Sequence, residues 1–153
     1  MKHKTGCLII HGFGGTTSDV EPLSGYLKSK GFITFCPVLK GHTGKKELLD
    51  RVSYIEWIKS VENGLNYLKT KCKDIVIIGF SMGGLIGVNL AVKFKFLGIV
   101  TIDTPIYFGD MKNIYYNILI DFKTGSFNNV KRYMKLSSSF PISALINFRL
   151  LIG

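Results

Sequence analysis

Gly79-Phe80-Ser81-Met82-Gly83 holds the residue types a serine nucleophile needs, in a spacing that serves it. An apolar β-branched run, Ile75-Val76-Ile77-Ile78, leads into it. Gly84 and a helix-like pattern, Leu85, Val88, Ala91 and Val92, follow. G-x-S-x-G between a strand and a helix forms a nucleophile elbow, a turn tight enough to strain the serine backbone and lift its hydroxyl toward a substrate. Glycines two residues before and two after the serine leave room for the neighbouring backbone. The competing reading is a glycine-rich strand-to-helix turn with an idle serine.

A second segment has the same layout. Leu8-Ile9-Ile10 is an apolar strand, and His11-Gly12-Phe13-Gly14-Gly15 follows at once. A phosphate-cradling loop fits it poorly, because the spacing is not G-x-G-x-x-G and no Lys-Ser/Thr pair follows. Together with Pro37-Val38-Leu39-Lys40-Gly41-His42, Trp57, Gly79–Gly84 and Gly98-Ile99-Val100-Thr101, these motifs resemble the bacterial carboxylesterase and monoacylglycerol-lipase branch of the α/β-hydrolases. The resemblance runs in order from about residue 5 to about residue 110. It is weaker over 111–153, where that family places a variable cap over its site. The resemblance implies hydrolysis of short or medium acyl esters or monoacylglycerols through a Ser–His–Asp triad, with Ser81 as nucleophile and no cofactor or metal. It also implies an oxyanion hole made by the backbone N–H groups of Phe13 and Met82. Such donors hold the negative oxygen of a tetrahedral intermediate, and losing one raises the barrier by about 3–4 kcal/mol.

The chain departs from the pattern at the base. The family's triad runs Ser, then Asp or Glu, then His, but the histidines here are His3, His11 and His42, all before Ser81. The triad acid and histidine of the family sit beyond the cap, so the sequence reads as a chain cut short, holding the nucleophile and oxyanion half. His11 reads as structural on the oxyanion side. His42, in the polar loop Lys40–Gly44, reads as a locally packed residue, with a substitute base as the sharper alternative. Asp103, at the end of the strand Leu97–Ile102, lies where parallel sheets carry their sites, but without a histidine it has nothing to orient. A non-catalytic module of the same fold, or an inactive copy, is the second function class.

The elements that must position these residues alternate. Strand-like runs at Thr5–Ile10, Ile33–Cys36, Ile75–Ile78 and Leu97–Ile102 are nearly all apolar, as parallel strands covered on both faces are. Helical patterns fall between them, over about Val20–Lys30 and Ser53–Lys71 and after Ser81, giving an α/β fold. In the first, Leu23, Tyr26 and Leu27 share a face; its start is marked either by Ser18 with Glu21 or by Pro22. In the second, Ser53 and Glu56 make a capping box, and Tyr54, Trp57, Ile58, Val61, Leu65 and Leu68 form the buried stripe. Residues 1–105 are expected to be the core of the sheet and 106–153 the start of a helical cap, with two or three helices broken near Thr124-Gly125-Ser126 and Ser137–Pro141. Asp110 and Asp121 read as solvated charges. With the last strands missing, the Leu97–Ile102 strand becomes an open apolar edge through which the chain would self-associate.

Composition narrows the setting. Of 153 residues, 46% are apolar and 20% charged, which is globular rather than disordered. No apolar run reaches the ~18 residues of a membrane span, and no signal peptide is visible. The three cysteines, Cys7, Cys36 and Cys72, are widely spaced without metal-ligand patterns and point to a reduced, cytoplasmic setting. Half of the net charge of +10 lies in 111–153, where six basic residues face Asp121 alone. That surplus suits acidic partner residues in a missing C-terminal part or weak contact with anionic membrane surfaces. Scattered basic residues without a recognition motif argue against nucleic acid.

Overall fold

The computed structural model describes residues 5–105, 111–131 and 140–152. Four strands form one parallel sheet: β1 (Gly6–Ile10), β2 (Ile33–Phe35), β3 (Ile75–Phe80) and β4 (Gly98–Ile102), in the order β2-β1-β3-β4. The register sets Ile9 beside Ile78 and Ile10 beside Gly79, then Gly79 beside Thr101 and Phe80 beside Ile102. β3 therefore runs two residues further than its β-branched stretch, because Gly79 and Phe80 still find partners on β4.

Alternation along the strands builds two cores. Leu8, Ile10, Ile75 and Ile77 point to one face, where they meet Trp57, Val61, Leu65 and Leu68 of α2 (Tyr54–Lys69) and Ile86 and Leu90 of α3 (Met82–Ala91). Cys7, Ile9 and Ile78 point to the other and meet Val20, Leu23 and Leu27. Leu23 and Leu27 belong to α1 (Glu21–Ser29), which a 3-10 turn at Thr17–Asp19 precedes. The α2 stripe and its Ser53–Glu56 capping box match the sequence pattern. The capping pair Thr16 with Asp19 belongs to the 3-10 turn, and α1 itself starts after Val20 without a side-chain cap, with Pro22 in its first turn. Tyr26 is 60% exposed rather than packed. The inward stripe is Val20, Leu23, Ser24 and Leu27, and the Ser24 hydroxyl lies 2.8 Å from that of Thr34 in a hydrogen bond. Cys7 and Cys72 are buried free thiols, and Cys36 is half-buried.

α4 (Met111–Thr124) ends at Gly125, which takes a φ of 65°, and residues 128–131 are helical. α5 (Ile142–Leu150) begins at Pro141. Both breaks fall near those expected; Ser137–Ser139 and Asp110 lie outside the described residues. Asp121 corrects the reading of a solvated charge, for its side chain is enclosed. It accepts hydrogen bonds from the Val130 N–H (2.7 Å), Asn129 Nδ2 (2.9 Å) and Ser126 Oγ (3.2 Å). Burial pushes its carboxyl pKa up, and the hydrogen bonds outweigh that and hold it below its ordinary value. None of the described helices is long and apolar enough to cross a membrane.

Candidate active site

β1 and β3 are neighbours, yet β1 leads to β2 on one side and β3 to β4 on the other. The crevice outside their carboxyl ends is thus the switch point of the sheet, where parallel α/β sheets bind ligands. The His11–Gly15 loop leaves β1 there, and Ser81 ends β3.

Ser81 has φ 50° and ψ −118°, a conformation that costs a non-glycine residue roughly 1–3 kcal/mol and persists only where its surroundings enforce it. The enforcement is visible. The Ser81 N–H donates to the Ile102 carbonyl at 2.8 Å. The Ser81 carbonyl accepts from the Gly84 N–H at 3.0 Å and from the Thr104 hydroxyl at 3.2 Å. A Cβ on Gly79 would strike the backbone of Gly83 and Gly84, one on Gly83 the Ile10 carbonyl, and one on Gly84 the Thr104 hydroxyl. The glycines of the motif are therefore required by close approach of backbone and side chain. Thr104 escaped the sequence reading; its position just past β4, on the same end of the sheet as the elbow, is the signal that points to it.

The glycine loop lies against Ser81. A Cβ on Gly12 would sit 3.3 Å from the Ser81 Cβ. Among the described residues, neither the Phe13 nor the Met82 N–H takes part in the loop and cap hydrogen bonds. α3 starts at Met82, so its positive dipole end is directed to the same place. The Phe13 ring is held by aromatic neighbours: Phe148 stacks on it at 5.3 Å and 15°, Phe140 lies 4.8 Å away and Trp57 6.0 Å. Phe140 also covers Gly14, whose φ of 68° and lack of Cβ let the ring approach. α5 is anchored beside this loop. Asn147 accepts from the Tyr54 N–H at 3.0 Å, and the Ser143 hydroxyl donates to the Asp50 backbone carbonyl at 3.0 Å. The aromatic run of the chain's end gave no hint that Phe140 and Phe148 would meet Phe13.

The two described histidines are core residues. His11 is fully buried and His42 only 3% exposed, with ring centroids 5.2 Å apart. Trp57, fully buried, stands edge-on to His42 at 5.4 Å. His42 packs locally, as its loop position suggested, with its ring turned into the aromatic core. Burial, together with the neighbouring His11, pushes its pKa down to about 4, against the pull of a hydrogen bond to the Lys40 carbonyl. Burial also lowers the pKa of His11. Asp103 is exposed with φ 50°, at the end of β4. No group of three or more metal-ligating side chains occurs among the described residues.

The model of the alpha/beta hydrolase family matches residues 7–145. A thermostable monoacylglycerol lipase of Bacillus sp. (strain H-257) is 38% identical over 86 residues, covering 56% of this chain and 34% of the relative. A carboxylesterase of Bacillus subtilis (strain 168) is 32% identical over 113 residues, covering 73% and 46%. The chain thus spans less than half the length of these two relatives. Among solved structures, a metagenome-derived lipolytic enzyme of the LipS and LipT pair aligns with a TM-score of 0.68 at 24% identity, over 72% of this chain and 46% of that one. A monoacylglycerol lipase of Paleococcus ferrophilus aligns at 0.60 and 18% identity, over 95% and 66%. The strained serine at the switch point, the parallel sheet and the family match agree: the chain belongs to the alpha/beta hydrolase family.

Proposed function

We propose that this sequence encodes the nucleophile and oxyanion half of a serine hydrolase acting on carboxylic esters. Ser81 is the nucleophile, and the Phe13 and Met82 N–H groups receive the oxyanion. The observation that carries this is the forced conformation of Ser81 beside the Gly12 loop, which a merely structural turn does not need. The aromatic wall of Phe13, Phe140 and Phe148 suits the apolar acyl part of a short or medium ester or a monoacylglycerol. The names of the relatives favour the same substrate class.

A serine hydroxyl needs a base to take its proton. No histidine follows Ser81, and His11 and His42 are enclosed in the core. We therefore expect the 153 residues alone to turn esters over negligibly, with an Asp or Glu and a His supplied after the cap completing the triad. In such a completed protein p-nitrophenyl butyrate should be hydrolysed, and Ser81→Ala should abolish turnover. Undiminished turnover by Ser81→Ala sinks the assignment. The lack of a following histidine also favours a second reading, a non-catalytic acyl-binding module or inactive copy. Saturable binding of a fatty acid to the 153-residue chain, with no activity in any completed form, would favour it. The free thiols suit a reduced, cytoplasmic setting. The open β4 edge suits self-association, and the basic cap segment suits weak contact with anionic membranes.

A further inference from the structure

Three buried polar nitrogens lie in one aromatic cluster and have no hydrogen-bond partner among the described residues: His11 Nε2, His42 Nε2 and Trp57 Nε1. They come from three separate elements, the oxyanion loop, the loop after β2, and α2. Buried polar groups are satisfied in all but a few cases, so three together require an account.

The tautomers follow from the other ring nitrogens. His11 Nδ1 lies 3.0 Å from the Gly12 carbonyl, and His42 Nδ1 lies 3.3 Å from the Lys40 carbonyl. A carbonyl only accepts, so both Nδ1 atoms carry the proton. Both Nε2 atoms are then lone-pair acceptors. Both rings are neutral at pH 7, for burial lowers both pKa values and takes that of His42 to about 4. Trp57 Nε1 is a donor only. The unmet demand is two acceptors and one donor.

We infer that His11, His42 and Trp57 form a binding site for one internal water molecule, which donates to both Nε2 atoms and accepts from the indole N–H. Water matches the demand because it has two hydrogens and lone pairs to spare. An anion would set its lone pairs against those of the imidazoles. A metal cation would take the imidazoles and repel the indole N–H. The ring of His42 neighbours both others, with centroids 5.2 Å from that of His11 and 5.4 Å from that of Trp57, and three partners are what an internal water usually finds. The water ties the oxyanion loop to α2 and to the loop after β2. The inference rests on these side chains and not on the esterase reading.

The test is a crystal structure of the full chain at better than about 1.8 Å, with NMR of the 15N-labelled protein. The expected result is one density peak within hydrogen-bond distance, ~2.7–3.2 Å, of all three nitrogens. The indole proton should show a cross-peak to the water resonance, and both histidines the Nδ1–H tautomer. Trp57→Phe should lose the indole contact and leave both tautomers in place. Direct bonding between any two of the three nitrogens, an Nε2–H tautomer at either histidine, or an empty site in well-defined density would overturn the inference. So would anomalous scattering from a metal at the peak.

Discussion

β3 and β4 lie side by side, and both are built from Ile, Val and Gly, yet their surroundings differ. Ile75, Ile77 and Ile78 of β3 are buried. Ile99, Val100 and Ile102 of β4 are 41%, 46% and 40% exposed, and among the described residues β4 pairs only with β3. Beside it, Val88 of α3 and Val92 just after that helix are exposed on one face. On the other, an open pocket of about 200 Å³ is lined mainly by Ile9, Val20, Leu23, Ile78, Phe80 and Ile102. The Ser81 turn ends the covered strand β3, next to the exposed β4. An apolar strand thus reports the cover its sequence is suited to, whether or not the chain in hand supplies it.

The largest effect is expected at the elbow. Ser81→Ala in a triad-completed protein should lower kcat by about 10⁶, the scale of losing a serine nucleophile, read as p-nitrophenyl ester turnover.

Packing on the closed side comes next. Trp57 is fully buried among Phe13, His42 and the α2 stripe, so Trp57→Ala should cost about 3–5 kcal/mol of stability in urea unfolding. A loss below about 1 kcal/mol would show that this half is not the rigid one.

Acid should act on the same side. The folded pKa of His42, about 4, lies below the ordinary 6.5. Between those values the unfolded chain binds a proton that the folded chain refuses. The stability contribution is therefore present above about pH 6.5 and is lost as pH falls toward 4. The loss should reach about 3 kcal/mol, from 1.36 kcal/mol per pKa unit. Urea midpoints at pH 7 and 4.5 should separate for the wild type and draw together for His42→Gln.

The open side should respond least in stability and most in association. Val100→Lys, on an exposed strand position, should change stability by no more than about 0.5 kcal/mol. It should shift the chain toward monomer in light scattering, since charge on an edge strand blocks edge pairing. Unchanged association would place the contact elsewhere.

Much of this was legible in the sequence because it is local. The elbow glycines, the Ser53–Glu56 box and the apolar strand runs each depend on residues within a few positions. The unread parts depend on neighbours set by the fold. Asp121 reads as solvated in sequence, but Ser126, Asn129 and Val130 turn back onto it. His42 sits in a polar loop that folds its ring against Trp57. Tyr26 loses its place in the core to Ser24, which bonds Thr34 on β2. Phe140 and Phe148 reach Phe13 across more than 120 residues of chain.

In the proposed function Ser81 is a built nucleophile without its base. Labelling the 153-residue chain with a fluorophosphonate, followed by peptide mass spectrometry, tests it directly. Slow labelling confined to Ser81 and abolished by Ser81→Ala is the predicted result, because the oxyanion donors alone retain only roughly 10³–10⁴ of rate over water. Rapid stoichiometric labelling of Ser81 would contradict it by showing that a base is already present, with His42 the first residue to mutate. Labelling at another serine would contradict the assignment of the nucleophile itself.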